Sequence, residues 1–453
     1  MNEPIQPHPK NVDGPFYVEL GCCTSCDVPM QEAPGHFAYD HDHHCYVCRQ
    51  PQSASEITDM IGKAWMAELQ SVRYRGRDNE ILRRLAELDL RHICDSRKLN
   101  MIRLIFGFLA VCLLAAPPVH AADKLATDKT VKVFVLAGQS NMEGKARNAL
   151  LDYQATNAKT QDLFSHLRRD DKWVIRDDVF IKFLDRKGPL TIGYGSPDCT
   201  GVELEFGTAM GNHFDQPVLL IKTAWGGHSL YKLFRSPSAG LPAAMLQKEL
   251  DEAEKRVKQE NEKNKTDAPL PTREEIVKDY GSSYRRMLTE VRDVQENYAK
   301  LFPELEGKTL ELTGFVWFQG FNDIFGAQDE YASNMQHFIK DVRKDLETPN
   351  LPFVIGALGQ NGSKPATGGM LTVREAQLSM NEVPEFQGNV KAFPVDVLVD
   401  KAAEALFPNW QNEPEWVHTG SDRPYHYYGS AIWFNRIGKA MGDTMLALLK
   451  HPQ

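Results

Sequence analysis

Val131 to Gly144, VKVFVLAGQSNMEG, is an apolar run of strand type that stops at Gly138 and delivers Gln139, Ser140 and Asn141 where a helix should begin. Such a run fits a sheet buried on both faces, with the turn at its open edge. A serine at a strand-to-helix turn stands beside backbone N–H groups that can hold a developing oxyanion. Read alone, the same residue is an ordinary helix N-cap. Two later segments shift the reading. Phe315 to Asp323, FVWFQGFND, is a second strand-like run that ends in Gly320-Phe321-Asn322-Asp323, and Asp422-Arg423-Pro424-Tyr425-His426 precedes an apolar-periodic helix. Serine, an Asn/Gly turn, an acid and a histidine are the parts of a serine esterase, in the order nucleophile, oxyanion donor, acid, base.

GQSNMEG, the Gly-Gly turn in KTAWGGHSL, WFQGFND and the Asp/His pair together resemble the SGNH hydrolases, and within them the sialic-acid-specific acetylesterases among the carbohydrate esterases. The likeness spans roughly residues 130 to 450. It implies Ser140 as nucleophile and His426 as general base, with Gly226 or Gly227 and Asn322 joining the Ser140 N–H as oxyanion donors. It also implies a flavodoxin-like three-layer sandwich and an acetylated carbohydrate as substrate. Gln139, Gln319 and Trp225 are expected to touch that substrate. One departure stands out, since the family's acid lies three residues before its histidine and Asp422 lies four before His426. Glu415 and Asp400 are therefore alternative acids, and His228 and His418 alternative bases. Trp225, Trp317, Trp416, Tyr425, Tyr427 and Tyr428 gather around these blocks; most are expected in the core, with one or two free to stack on a sugar ring. The reading needs no cofactor for the esterase. A carbohydrate-binding relative without turnover is the alternative.

Periodicity alone gives an α/β fold. Val131–Ala137, Val218–Thr223, Phe315–Phe318, Phe353–Leu358 and Val390–Phe393 read as strands of a doubly wound, mainly parallel sheet, whose sites lie at carboxyl edges. Gly429 to Leu449 reads as an amphipathic helix. Residues 241–301, dense in charges at helical spacing and interrupted by Pro269 and Pro271, read as an inserted, solvated helical hairpin.

With 453 residues, the chain can bury a large core and exceeds the usual span of one domain. Its net charge of −9 offers no basic footprint, which argues against nucleic acid as a partner. Cysteines divide it. Cys22, Cys23, Cys26, Cys45, Cys48 and Cys94 precede residue 100, Cys112 lies in an apolar run, and Cys199 stands alone in the esterase region. Cys23-x-x-Cys26 and Cys45-x-x-Cys48 have zinc-knuckle spacing. GPFYVELGCCTSC, EAPGHF and CYVCRQP also resemble small ferredoxins, which implies an iron–sulfur cluster. Pro29 stands where a third close cysteine would be, so a cluster would recruit Cys22 or Cys48. His36, His41, His43 and His44 crowd the same loop and read as solvated polar residues. Residues 1–100 are thus expected to form a small Cys-rich module, and a fused metal-binding or electron-transfer role for it is a further alternative.

Met101-Ile102-Arg103, the apolar run Leu104 to Ala116 and the small residues before Ala122 have the form of a secretory signal peptide cleaved after Ala121. Either Met101 begins the natural protein and residues 1–100 are a misjoined reading frame, or 101–121 is an internal anchor of a fusion, the one route to a membrane. Both put residues 122–453 in the periplasm or outside the cell, and the second leaves the Cys-rich module in the cytoplasm. On the first and preferred reading, the native protein starts at Ala122, carries the single cysteine Cys199 and is insensitive to chelators. Mass spectrometry of the native protein checks this, and a mature mass that includes residues 1–100 would overturn it.

Overall fold

The computed structural model describes residues 129–450 throughout and, before them, 6–19, 35–40, 45–53, 56, 57, 60, 72–87, 94 and 95. Residues 129–258 and 267–450 form one compact unit, and the described residues up to 95 belong to a second. Among its described residues the second unit has four three-residue strands, β1 (Phe16–Val18), β2 (Phe37–Tyr39), β3 (Cys45–Val47) and β4 (Val72–Tyr74), and the helix α1 (Asn79–Glu87). β1 pairs with β4 and β2 with β3, both antiparallel, around Phe16, Val18, Phe37, Val47, Val72 and Leu85. His36 lies inside rather than in solvent, its ring within 3.0 Å of the Arg49 carbonyl and of the Arg49 Nη2. Cys45 is buried in this core and Cys48 is half-buried, while Cys22, Cys23, Cys26, His41, His43 and His44 lie outside the described residues. Among the described residues no three His, Cys, Asp or Glu side chains converge on a metal-sized site. The 101–121 segment also lies outside them, and no described helix is long and apolar enough to cross a membrane.

The larger unit is built on seven strands. In chain order they are β5 (Thr130–Gly138), β6 (Val179–Phe183), β7 (Arg186–Pro189), β8 (Val218–Ala224), β9 (Thr309–Phe318), β10 (Phe353–Ala357) and β11 (Val390–Pro394). Their order in the sheet is β7-β6-β8-β5-β9-β10-β11, parallel throughout except for the β6–β7 hairpin. The chain starts at β5 in the middle, fills one side through β6 to β8, then crosses and fills the other through β9 to β11. β5 is therefore the switch point, where a crevice opens outside the carboxyl ends of the strands.

β5 feeds both faces by simple alternation. Phe134 and Leu136 join a core with Phe206, Met210, Ile437 and Met441, under α3 (Glu203–His213) and α9 (Ala431–Leu449). Val133, Val135 and Ala137 join the opposite core with Met287, Val291, Phe338 and Ile339, under α6 (Ser282–Leu301) and α7 (Tyr331–Asp345). The result is the expected three-layer, doubly wound α/β sandwich. The 241–301 hairpin needs correction. Its first part, α4 (Ala243–Asn264) and α5 (Arg273–Asp279), does have its own small cluster of Leu246, Ala253, Ile276 and Tyr280. α6 instead lays Tyr284, Met287, Leu288, Val291 and Val294 on the sheet and is a layer of the sandwich.

β5 ends where it does because of Gly138. Its φ is +159°, and a Cβ there would lie 2.2 Å from the Phe318 carbonyl oxygen at the end of β9. Only glycine lets the two strand ends meet so closely. Gly138→Ala is therefore expected to cost at least about 2 kcal/mol of folding stability. Urea denaturation measures it, and a loss below about 0.5 kcal/mol would disprove the close approach.

Candidate active site

Directly after Gly138, Ser140 opens the one-turn helix α2 (Ser140–Glu143), all four of whose residues are buried. Its N–H belongs to a first helical turn and has no partner within the helix. Ser140 Oγ lies 2.9 Å from His426 Nε2, a contact that joins residues 286 positions apart. His426 sits half-buried in the loop before α9. That loop is fixed at several points. Ser421 Oγ donates to the Lys145 carbonyl at 3.3 Å, and Ser430 Oγ donates to Asp400 at 2.6 Å while capping α9. The Tyr427 ring stacks on Phe318 at 5.2 Å.

The opposite wall comes from the turn after β9. Gln139 Nε2 donates to Asn322 Oδ1 at 2.8 Å, and Gln139 Oε1 accepts the N–H groups of Gly320 at 3.1 Å and Asn322 at 3.4 Å. With its oxygen occupied, Asn322 has its Nδ2 left to donate. The turn after β8 brings Gly226 and Gly227. Gly226 N–H donates to Glu143 Oε1 at 2.8 Å, so it is already used, while Gly227 takes the left-handed φ of +74°.

Beneath these turns lies a buried charged network. Lys145 Nζ donates to Glu143 Oε2 and Ser196 Oγ, each at 2.9 Å. Lys222, projecting from the apolar strand β8, donates to the Glu143 carbonyl at 2.7 Å and to Glu203 Oε2 at 2.7 Å. Burial pushes the Lys222 ammonium pKa down, opposed by the Glu203 carboxylate. Asp323 is the third buried anchor. It accepts from Leu230 N at 2.9 Å, Tyr231 N at 2.8 Å and Gln319 Nε2 at 2.6 Å, tying the loop after β8 to the turn that carries Asn322.

A family model described as carbohydrate esterase, sialic acid-specific acetylesterase, matches residues 130–268 and 272–400. The chain belongs to this family. The matched residues include Ser140, Gly226, Gly227 and Asn322 and stop short of Asp422 and His426. A probable carbohydrate esterase of Arabidopsis thaliana is 36% identical over 72 residues, which make up 16% of this chain and 26% of that relative. The match thus spans about a quarter of the relative's length. Among solved structures, a protein from Arabidopsis thaliana aligns at 17% identity and a TM-score of 0.39 over 70% of this chain and 97% of its own. A carbohydrate acetylesterase from Xanthomonas citri aligns at 14% identity and a TM-score of 0.33 over 59% and 51%.

In this esterase-family chain, Ser140 meets His426 directly, while Asn322 is tied to Gln139 and Gly226, the neighbour of Gly227, is tied to Glu143. The other expected residues are placed differently. Asp422 is held by Arg147, whose Nε and Nη2 reach its two oxygens at 2.7 and 2.5 Å. Burial lowers the Arg147 pKa, but the bonds and charge of Asp422 outweigh this and raise it. Asp400 caps a helix through the N–H of Ala402, and Glu415 is exposed, 3.6 Å from His418 Nδ1. His418 stacks on Tyr153, and His228 Nδ1 lies 2.6 Å from Ser283 Oγ. Gln139 and Gln319 are buried, like Ser140 itself, and hold Asn322 and Asp323 in place by hydrogen bonds. Trp225 is buried with the Arg286 guanidinium 4.7 Å from its ring centre, which removes it as an open sugar platform. Glu143, Lys145, Arg147 and the anchoring role of Asp323 escaped the sequence reading. A lysine inside VLLIKTA and three charges within SNMEGKAR were the available signals.

Burial raises the Asp323 pKa from 3.8 to about 6, against the three hydrogen bonds that lower it. Between those values the folded chain binds a proton that the unfolded chain has released. The stability this contributes is complete below pH 3.8 and is lost as pH rises through about 6. Asp323→Asn removes this titration, so the stability margin of wild type over the variant is expected to shrink by roughly 2 kcal/mol between pH 4 and pH 7. Denaturation at both pH values checks it, and a pH-independent margin would refute it.

Proposed function

We propose that the chain is a carbohydrate O-acetylesterase acting through an acetyl-enzyme on Ser140. The observation that carries this reading is the 2.9 Å contact between Ser140 Oγ and His426 Nε2 at the switch point of the sheet. His426 takes the Ser140 proton as Oγ bonds to the acetyl carbonyl carbon, whose π electrons move onto oxygen. The resulting oxyanion is received by the N–H groups of Ser140 and Gly227 and by Asn322 Nδ2. Removing one such donor typically costs about 3 kcal/mol of transition-state stabilisation. Collapse expels the sugar alkoxide, which takes the proton from His426. A water, deprotonated by His426, then releases acetate and restores Ser140. The reaction closes on the chain's own groups and draws on no cofactor.

In this reading the Arg147–Asp422 pair is a brace that holds the His426 loop against the segment following α2. The partner is an acetylated sugar, whether a sialic acid or a plant or algal polymer.

Ser140→Ala and His426→Ala are each expected to lower kcat on p-nitrophenyl acetate by at least about a thousandfold, with the fold intact by circular dichroism. More than a few per cent residual turnover in Ser140→Ala would end the assignment.

Asp422→Asn keeps the loop but loses charge opposite Arg147, so a partial rate of roughly one to ten per cent is expected. Wild-type turnover in Asp422→Asn would show that the Arg147–Asp422 pair does not hold the His426 loop in place.

A further inference from the structure

Most aromatic residues near the site are interior. Trp317, Trp416, Tyr427 and Tyr428 are all buried, but Tyr425, next to His426, is 47% exposed. A second exposed ring, Phe325, follows Asn322 by three residues and is 71% exposed, the most of any large apolar side chain among the described residues. Single exposed apolar side chains are common and mean little. These two share three further properties. Each lies within three positions of a residue given a role at Ser140. Each is set nearly perpendicular to a second ring, Phe325 to Phe321 at 5.5 Å and 83°, Tyr425 to Phe407 at 6.4 Å and 89°. Each is carried by a turn with little freedom. Gly369 lets the helix α8 (Gly368–Leu378) abut the Phe325 turn, since a Cβ there would lie 2.0 Å from the Ile324 carbonyl oxygen. On the other turn, Phe407 also packs on Tyr428 at 4.7 Å.

A ring fixed in place yet largely in water costs little entropy when a ligand covers it. The face of a pyranose, with its axial C–H groups, is the ligand surface that matches a flat aromatic ring while leaving the sugar hydroxyls in water. Two such rings on separate turns call for more than one sugar unit. We infer that Phe325 and Tyr425 are stacking platforms for different units of an oligosaccharide, so that the enzyme removes acetyl groups from sugar chains in preference to single sugars. The inference rests on the esterase reading above and names the size class of its substrate.

The test compares p-nitrophenyl acetate, which fills only the acetyl end of the site, with chemically acetylated xylo- and cello-oligosaccharides of one to six units. For the wild type, kcat/KM is expected to rise at least about fivefold with chain length in one of the two series. Phe325→Ala and Tyr425→Ala should each abolish most of that rise through KM, while turnover of p-nitrophenyl acetate stays within about twofold of wild type. Phe325→Trp and Tyr425→Trp, which keep a flat ring, should restore it. The inference is overturned if neither series outruns its own monosaccharide, or if the alanine variants lower both kinds of ester equally, as a purely structural ring would. Wild-type turnover of p-nitrophenyl acetate separates these failures from failure of the esterase reading. Its absence would remove both.

Discussion

One buried carboxylate, Glu143, links the helix that begins at Ser140 to the loop after β8. Through Oε1 it holds Gly226 N–H, and through Oε2 it meets Lys145, whose ammonium is fully enclosed. Neither charge tolerates the loss of the other, because an unpaired ion in such surroundings costs several kcal/mol. A helix of only four residues has almost no stability of its own. Here it is held from both ends, by the glycine that lets β5 meet β9 and by the acid that reaches across to the β8 loop. Placement of Ser140 thus depends on the main chain and on ions, and little on the packing of its own side chain.

The loop that carries His426 is held by different means. Tyr427, Tyr428 and Gly429 have φ of +54°, +60° and +58°, so two side-chain-bearing residues in succession lie in the left-handed region. Each costs about 1–2 kcal/mol. The burial of Tyr427 among Phe318, Trp433 and Phe434 offsets that strain. Gly429 is required by space as well, since a Cβ there would lie 1.8 Å from Ser421 Oγ. Packing energy is in effect stored as geometry next to the imidazole.

Much of this was legible in the sequence where local pattern and position coincide. Strands buried on both faces write themselves as unbroken apolar runs, and the five that were expected are found with ends shifted by a few residues, β9 starting furthest ahead at Thr309. The β6–β7 hairpin was missed because an edge carries Lys182, Arg186 and Lys187 and so lacks that signature. The charges of α6 suggest a solvated arm, yet Tyr284, Met287, Val291 and Val294 recur in it at helical spacing and mark a buried stripe. Ser140, Asn322 and His426 could be picked out because each closes or opens an element. The Arg147–Asp422 pair could not, because two polar residues 275 positions apart leave no trace until the fold brings them together. The same holds for Asp323, whose neighbour Asn322 drew the functional reading while the acid itself turned inward.

The separation of 286 residues between Ser140 and His426 has a consequence for how the molecule comes into being. β5, β8 and β9 can bring the serine and its facing turns together while the chain that follows is still disordered, since each added contact closes a modest loop. The histidine cannot join them until the segment before α9 reaches back and α9 packs on α3. During synthesis the growing chain would therefore carry Ser140 in place without its histidine. The pair of Ser140 and His426 would be completed in one step, with the docking of the helix that follows the histidine.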